Sequence, residues 1–253
     1  MTTTTPAETR LPLFYNSVVP LAASVHGKLV MTEARDCKYA ANTHAIPITV
    51  DEFVMVQRHY PIIFGGGDSP VPLALVGLMD NENQFIDAEG QWRPGTYVPA
   101  YVRRYPFLLA KLTPEAKELS LCFDDSAPIF TTGEESNLFD GNEPTERTKA
   151  ILQFCEQFEI AIQRTRAFMN ELKELDLLMD GEAQIQPANG AAPANFRGFR
   201  MISEQKLHEL RGDQVRKMVK SGALGLIYAH LFSLSHIQGL YQYRMEQQAQ
   251  DAA

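Results

Sequence analysis

The residues best suited to chemistry in this chain are concentrated in one segment, residues 90–109. This segment holds the only tryptophan, three of the nine tyrosines and a pair of adjacent arginines. They are Trp92, Tyr97, Tyr101, Tyr105, Arg103 and Arg104. A guanidinium beside tyrosine hydroxyls can bind a carboxylate or another anion through paired, charge-assisted hydrogen bonds. The segment therefore predicts an anion-binding site, and it indicates no particular reaction.

The same segment also has a purely structural interpretation. A short helix predicted to begin near Tyr97 would place the three tyrosines along one face. On such a helix Arg103 and Arg104 project about 100° apart, so at most one of them continues the tyrosine face. This interpretation predicts a tyrosine-lined packing face with one arginine in a salt bridge. It stays open beside the anion site.

Histidines form the second set of candidates. His26, His44 and His59 lie in the half of the chain predicted to form a sheet, where they could converge on a catalytic pocket. His230 and His236 are six residues apart on a predicted helix and point to different sides. The chain has no HExxH, GxSxG or phosphate-loop motif, and no histidine begins an H-x-D or H-x-E pair. We therefore predict no metal and no cofactor, and mainly structural histidines.

Composition narrows the classes of protein further. The chain has 253 residues and a formal net charge of −8, which argues against a nucleic-acid binder because such proteins present a basic face. Its three cysteines are far apart and suggest neither a disulfide framework nor a zinc site. The polar first residues predict no secretory signal, and the longest apolar run, residues 222–234, is too short to cross a bilayer. We expect a cytoplasmic protein without a membrane span.

The elements that must position the candidate residues point to an α+β fold. Short apolar runs between turn residues predict strands, and a short helix is predicted to begin near Thr49 and to stop before Pro61. The predicted strands are residues 18–30, 62–64, 73–77, 84–87, 107–112, 119–123 and 196–202. We expect an antiparallel or mixed sheet in the first half of the chain, carrying short helices.

Helices dominate the second half. Apolar residues recur at a 4-3-4-3 spacing between residues 151 and 172, which predicts one seam along a helix over residues 144–179. Residues 223–247 predict a helix that is apolar nearly all round in its first half, as expected for a buried element. Residues 180–195 between them have the composition of a mobile polar loop. The long helix and the C-terminal helix are expected to pack the sheet.

One domain suits a chain of this length. Residues 1–10 are polar and are expected to be disordered. Residues 11–247 are expected to form a single α+β domain. Its sheet-rich part is predicted over residues 11–142 and its helix-rich part over residues 143–247.

Several strings of residues resemble the SapC-like family of bacterial proteins. They are PIIF at 61–64, ALVGL at 74–78, NQFID at 83–87, GQW at 90–92 and YVPAYVRRYPF at 97–107. Residues 138–140, 199–207 and 222–234 fit the same family. The resemblance extends over about residues 13–240. The RRYPF block is its most specific part.

The resemblance implies little about chemistry. The family takes its name from a surface-layer gene cluster, and its members are often labelled peptide-transport permeases, which is at odds with a chain lacking a predicted membrane span. Genes for TonB-dependent receptors, halogenase-like enzymes and oxygenase-like enzymes often lie nearby. The resemblance brings no catalytic residues to this chain.

Together these observations favour a cytoplasmic accessory or binding protein. It would recognise a peptide, an amino-acid derivative or a partner enzyme linked to surface-layer or TonB-dependent uptake systems. Candidate partners are an oxygenase-like or halogenase-like enzyme, or a second copy of the chain through helix 144–179. Two alternatives stay open: an enzyme that modifies an amino acid or peptide with arginine, tyrosine and histidine side chains, and a structural surface-layer component.

Overall fold

The architecture is that of a computed structural model, which describes residues 11–33, 36–67, 69–113, 115–185 and 194–251. The chain divides into two compact units. The first combines Met1–Arg35 with Arg104–Gln157, and the second combines Asp36–Arg103 with Phe158–Ala253. The expected disordered tail, residues 1–10, lies outside the described residues. Each unit therefore draws on two separate stretches of sequence.

Strands and short helices come first along the chain, and longer helices follow. In order, the elements are β1 (Val19–Pro20), α1 (Ala23–His26), β2 (Leu29–Met31), β3 (Ala45–Pro47), α2 (Phe53–Val56), β4 (Ile62–Phe64), β5 (Pro72–Leu75), α3 (Ala100–Arg104), β6 (Phe107–Ala110), β7 (Ser120–Phe123), β8 (Phe130–Thr132), β9 (Phe139–Asp140), β10 (Glu143–Pro144), α4 (Glu146–Glu174), β11 (Leu178–Ile185), β12 (Ala194–Ile202), α5 (Glu204–His208), α6 (Gly212–Ser221), α7 (Ala223–Ser233) and α8 (His236–Asp251). Short 3-10 turns occupy Lys38–Ala40 and Val50–Glu52. The predicted α+β class, with a long helix and a C-terminal helix, is confirmed.

The first unit is organised around a three-stranded antiparallel sheet in the order β1-β7-β6. Phe107 and Phe123, which pair across β6 and β7, pack with Cys155 to form its core. Asp124, directly after β7, is fully buried and accepts hydrogen bonds from the Asn16 amide and from the backbone and side chain of Ser126. This carboxylate holds the N-terminal segment to the end of the sheet.

The second unit is organised around a five-stranded sheet in the order β11-β12-β4-β5-β3. Its neighbouring strands pair antiparallel. Strand β4 lies at the centre, and all three of its residues are buried. This explains why Ile62–Phe64 is a continuous apolar run, since a strand covered on both faces has no solvent side to alternate with.

The long helix is shorter than predicted, since α4 covers Glu146–Glu174 and not residues 144–179. Its end is a Schellman motif: the Leu177 amide donates to the Leu172 carbonyl, and the Asp176 amide donates to the Lys173 carbonyl. Asp176 takes the left-handed conformation, with φ 49°. Leu172 and Leu177 are both fully buried, as expected for the apolar pair that accompanies this motif.

Two further predictions for the second half were wrong. Residues 180–185, expected in a mobile loop, belong to β11, and residues 186–193 of that expected loop lie outside the described residues. The predicted helix over residues 223–247 is two helices, α7 and α8, with a break at residues 234–235. Hydroxyl groups compete with the helical pattern there, because Ser233 and Ser235 donate to the carbonyls of His230 and Phe232.

Two strand predictions in the first half were also wrong. Residues 18–30 contain two strands separated by α1, and residues 84–87 contribute only an isolated bridge between Ile86 and Trp92. Such short apolar runs satisfy strand and helix patterns equally, so neighbouring contacts decide between them.

Of the helices described, none combines the length and the apolar character that a membrane crossing requires.

His230 joins α7 to the centre of the five-stranded sheet. Its ring is fully buried, with Nδ1 2.7 Å from the carbonyl oxygen of Ile62 and Nε2 3.1 Å from the amide nitrogen of Ile202. A carbonyl only accepts and an amide N–H only donates, so the proton sits on Nδ1 and the ring is neutral. Burial lowers the pKa of His230 to about 4.

The neutral His230 predicts a loss of stability in acid. The unfolded chain binds a proton at this histidine near pH 6.5, whereas the native state does not do so until about pH 4. The free energy of unfolding should fall as the pH drops through this window, by on the order of 3 kcal/mol in total. Urea unfolding between pH 7.5 and pH 4.5 measures this dependence.

Two variants separate His230 from other titrating groups. His230→Gln should be less stable than wild type at pH 7.5. Its free energy of unfolding should fall much less than that of wild type as the pH drops to 4.5. His208→Gln, at an exposed histidine, should retain the wild-type dependence. The same pH dependence in wild type and His230→Gln would contradict a neutral buried imidazole.

Candidate ligand-binding cleft

Glu52 organises the segment that carries the predicted site. It is only 5% exposed, and its carboxylate accepts from four donors. Oε2 accepts from the amide and hydroxyl of Thr49 at 2.9 and 3.0 Å. Oε1 accepts from the amide of Ala100 at 2.6 Å and from the Tyr97 hydroxyl at 3.2 Å. Thr49 and Glu52 thus form a capping box, and the same carboxylate also caps the start of α3.

Trp92 is held by a short chain of hydrogen bonds. Its Nε1–H donates to the Tyr60 hydroxyl at 3.0 Å, and that hydroxyl donates to the Tyr97 carbonyl at 2.6 Å. Trp92 also stacks on Phe85, with ring centroids 6.5 Å apart. Tyr60 is fully buried, and burial raises the pKa of its hydroxyl. In this structure the indole therefore fixes the loop before α3, with its one donor already engaged.

Arg103 is the arginine that lies beside Tyr97. Its Nη2 donates to the Tyr97 hydroxyl at 3.0 Å, its Nε donates to the Val98 carbonyl at 3.1 Å, and its guanidinium carbon lies 5.5 Å from the Tyr97 ring centre. Burial and the nearby Glu52 carboxylate raise the pKa of Tyr97 to about 12, so the hydroxyl remains protonated and donates to Glu52. Arg103 itself is exposed.

The predicted tyrosine face is not a single helical stripe, because α3 begins at Ala100 and leaves Tyr97 outside it. Arg104 and Tyr105 belong to the first unit. Arg104 is only 7% exposed. The Tyr105 hydroxyl donates to Asp124 at 3.4 Å, and burial followed by the Asp124 charge raises its pKa to about 12. Of the six candidates, the structure brings Trp92, Tyr97 and Arg103 together around Tyr60 and Glu52.

The three candidate histidines have separate environments. In the first unit, His26 accepts from the Ala22 amide at 3.1 Å and packs edge-on against Phe123. In the second unit, His44 lies 3.5 Å from an exposed Asp80 oxygen, and the ring of His59 packs on Tyr60. Burial, with the charges of His236 and Arg58, lowers the pKa of His59. Among the described residues, no group of three histidine, cysteine or acidic side chains could hold a metal ion.

A cleft of about 990 Å³ opens in the second unit, beside the second half of α4. Its floor is apolar and comes from the helix, from α3 and from the start of β11. These side chains are Tyr101, Phe158, Ile162, Met169, Leu172 and Leu178. Tyr101 is the one residue of the predicted segment that lines this cleft. This candidate cleft therefore lies along the helix seam, and neither Arg103 nor Arg104 lines it.

The turn around Glu52 holds one wall of the cleft against α4. Thr49 and Thr165 both line the cleft. The Thr165 hydroxyl accepts from the Val50 amide at 3.0 Å and donates to the Ala161 carbonyl of its own helix at 2.7 Å. This double role ties the capping-box turn to the helix beside the cleft.

Three cations line the cleft: Arg166 and Lys173 from α4, and Arg200 from β12. Asp176 is the acidic residue among the lining side chains, and its carboxylate pairs with Lys206 at 2.7 Å. That hydrogen bond is the main reason that the pKa of Asp176 is lowered. Within the described part of the chain, no carboxylate forms an ion pair with Arg166, Lys173 or Arg200. The cleft thus combines an apolar floor with an excess of positive charge.

The helix seam was predicted, but its use as a cleft wall was not. Phe158, Ile162 and Leu172 belong to the 4-3-4-3 pattern, which was interpreted as a packing face. A signal was present in the sequence, since Arg166 and Lys173 are seven residues apart and share one helix face beside that seam. Arg200 could not be found in this way, because its place depends on pairing between distant strands.

Replacing Glu52 should destabilise the second unit. In Glu52→Gln one of the two carboxylate acceptors becomes an N–H group that faces other donors, so at least one buried donor loses its partner. We expect the free energy of unfolding to fall by about 1–3 kcal/mol at pH 7 in urea titrations. Asp51→Asn is the matched control, because Asp51 pairs with Arg164 at a well-exposed site and should change stability by less than about 1 kcal/mol. Equal losses in both variants would contradict the role of Glu52.

The two adjacent arginines should differ in their effect on folding. Arg104 is buried whereas Arg103 is exposed, so Arg104→Ala removes packed side-chain volume and Arg103→Ala does not. We expect a melting temperature lower by about 4–8 °C for Arg104→Ala and by about 2 °C for Arg103→Ala, as measured by circular dichroism. A larger loss for Arg103→Ala would reverse the assignment.

Comparison with known proteins places the chain in one family. The model of the SapC family matches residues 21–240, which is most of the chain. No curated protein and no solved structure matches it. The matched range includes the Glu52 turn, the Trp92 loop and the residues that line the cleft. The chain belongs to the SapC family.

Proposed function

We propose that this SapC-family chain is a binding protein for a small ligand that joins an apolar group to a carboxylate. An amino-acid derivative with an apolar side chain has this chemistry. The observation that carries the proposal is the 990 Å³ cleft, with its apolar floor and its three cations. Small-molecule sites in proteins are mostly apolar concavities of about 300–1,000 Å³ with a few placed polar groups.

The apolar floor would supply most of the affinity. An aromatic side chain buries about 150–250 Å² when fully enclosed. At about 25 cal/mol per Å² this corresponds to roughly 4–6 kcal/mol, before the cost of association is subtracted. One charge-assisted hydrogen-bonded pair adds about 1.5–3 kcal/mol. After an association cost of about 4 kcal/mol or more, such a ligand would bind with a Kd in roughly the millimolar range, which suits reversible recognition.

The positive charges favour an acid over other apolar ligands. Arg166 and Lys173 are exposed on α4, and Arg200 is half-buried on the sheet side. An apolar amine would bring a fourth positive charge into the same cleft, which is unfavourable. An apolar carboxylate instead meets opposite charge from α4 and from β12. Charge therefore narrows the ligand class beyond what shape alone allows.

The wider role is part of the same proposal. We place this binding protein in the cytoplasm, as an accessory to a surface-layer or TonB-dependent uptake system, with an oxygenase-like or halogenase-like enzyme as a partner. The resemblance to the SapC-like family supports the uptake system and the partner. The compartment is supported by composition and by Cys122 and Cys155, which are buried in the apolar core of the first unit. Cell fractionation with a tagged chain measures the compartment directly.

Blocking the cleft should abolish binding without unfolding the chain. Ile162 is half-buried and lines the cleft, so Ile162→Trp should occupy space needed by the ligand. Ile160→Trp is the matched control: Ile160 is 44% exposed and two residues away, about 200° around the same helix. We expect N-acetyl-phenylalanine to bind wild type and Ile160→Trp in isothermal titration calorimetry, and to bind Ile162→Trp at least about tenfold more weakly.

Two results would contradict the proposal. One is the absence of binding to wild type across a panel of N-acylated apolar amino acids and dipeptides at millimolar concentration. The other is equal affinity of wild type and Ile162→Trp, which would place the ligand outside the cleft. Thermal melts of both tryptophan variants check that each one is folded.

A further inference from the structure

Arg200 holds a fixed place on the sheet side of the cleft. It lies on β12, which pairs with β11 and β4, and its Cα partners are Asp180 and Phe64. The side chain is half-buried and lines the cleft. Because paired strands on both sides hold its backbone, Arg200 can present its guanidinium with little change in the main chain.

The guanidinium of Arg200 is poorly matched with acceptors. Nη2 donates to the Leu178 carbonyl at 3.4 Å, which is a long contact. Nε is buried and has no hydrogen-bond partner among the described residues. A buried donor without an acceptor is unfavourable, so an acceptor supplied by a ligand gains more at this nitrogen than at a hydrated one.

The two other cations of the cleft have a different setting. Arg166 and Lys173 are exposed on α4, where water solvates them and salt screens them. Exposed charges of this kind raise the association rate of an anion more than they raise its affinity. Asp176, the acid at the same cleft, is already bound to Lys206 at 2.7 Å. Of the three cations, Arg200 is therefore the one placed to bind a partly dehydrated anion.

We infer that Arg200 is the specificity-determining residue of the cleft and binds the carboxylate of the ligand through Nε–H and an adjacent Nη–H. This inference rests on the proposed function. The two oxygens of a carboxylate match the spacing of the two N–H groups in this fork. A lysine ammonium does not present such a planar fork, and a primary amide does not present two acceptor oxygens. Binding needs the side chain to turn from Leu178 toward the cleft, and that turn gives up the 3.4 Å hydrogen bond. The ligand is thus an apolar acid, and its uncharged amide binds more weakly.

The test compares an acid with its uncharged amide. Isothermal titration calorimetry would measure N-acetyl-phenylalanine and N-acetyl-phenylalaninamide against wild type, Arg200→Lys, Arg200→Gln and the control Arg197→Gln. Arg197 is an exposed arginine of the same strand that does not line the cleft. Wild type should prefer the acid by about 10- to 100-fold, the range expected when charged hydrogen bonds are gained. Arg200→Gln should remove this preference and Arg200→Lys most of it, with little change for the amide. Arg197→Gln should keep the wild-type preference within about threefold.

The outcomes separate this inference from the proposed function. Equal binding of acid and amide to wild type would overturn the role of Arg200 and the carboxylate part of the proposed function, and it would leave an apolar binding cleft. Retention of the preference in Arg200→Gln would assign it to another cation. If neither probe nor the wider panel of apolar acids binds wild type, the proposed function falls and takes this inference with it. If the Arg200 variants do not fold, an Arg166→Gln, Lys173→Gln double variant decides: a kept preference supports Arg200, and a lost preference contradicts it.

Discussion

The Glu52 carboxylate is the contact on which the geometry of the second unit depends. Its oxygens accept from Thr49, Tyr97 and the Ala100 amide, so a single buried acid starts two helical segments. Through Val50 and Thr165 the same turn is tied to α4. The Trp92 loop, the start of α3 and one cleft wall therefore share one support. Four donors compensate this charge for the loss of water, which makes its burial tolerable.

The aromatic and cationic segment supplies hydrogen bonds that support the structure around Glu52. Tryptophan and tyrosine side chains have an apolar body and a polar tip, so a buried turn can employ both. Here the Trp92 N–H donates to the Tyr60 hydroxyl, which donates to the Tyr97 carbonyl, and these hydrogen bonds fix the loop before α3. A segment rich in recognition residues can thus serve as scaffold, while the candidate ligand site draws its charges from elsewhere in the chain.

Local signals in the sequence predicted the local parts of the fold. The Thr49 turn, the strands around Ile62 and the seam of α4 follow from capping and periodicity, which depend on near neighbours. The end of α4 was misplaced because Asp176 adopts a conformation in which glycine is the usual signal. The cleft could not be predicted, since it needs Tyr101, α4 and Arg200 to meet, and no periodicity encodes that meeting. The histidine environments were beyond prediction for the same reason.

The packing of α7 on the sheet has a consequence for hydrogen exchange. The amides of Ile62 and Ile202 donate to the side chains of Ser233 and His230, and not to a neighbouring strand. Exchange of these two amides with deuterium therefore requires α7 to leave the sheet, whereas fraying of a strand edge does not expose them. They act as two built-in reporters of helix docking, distinguishable from the amides that report separation of the strands themselves.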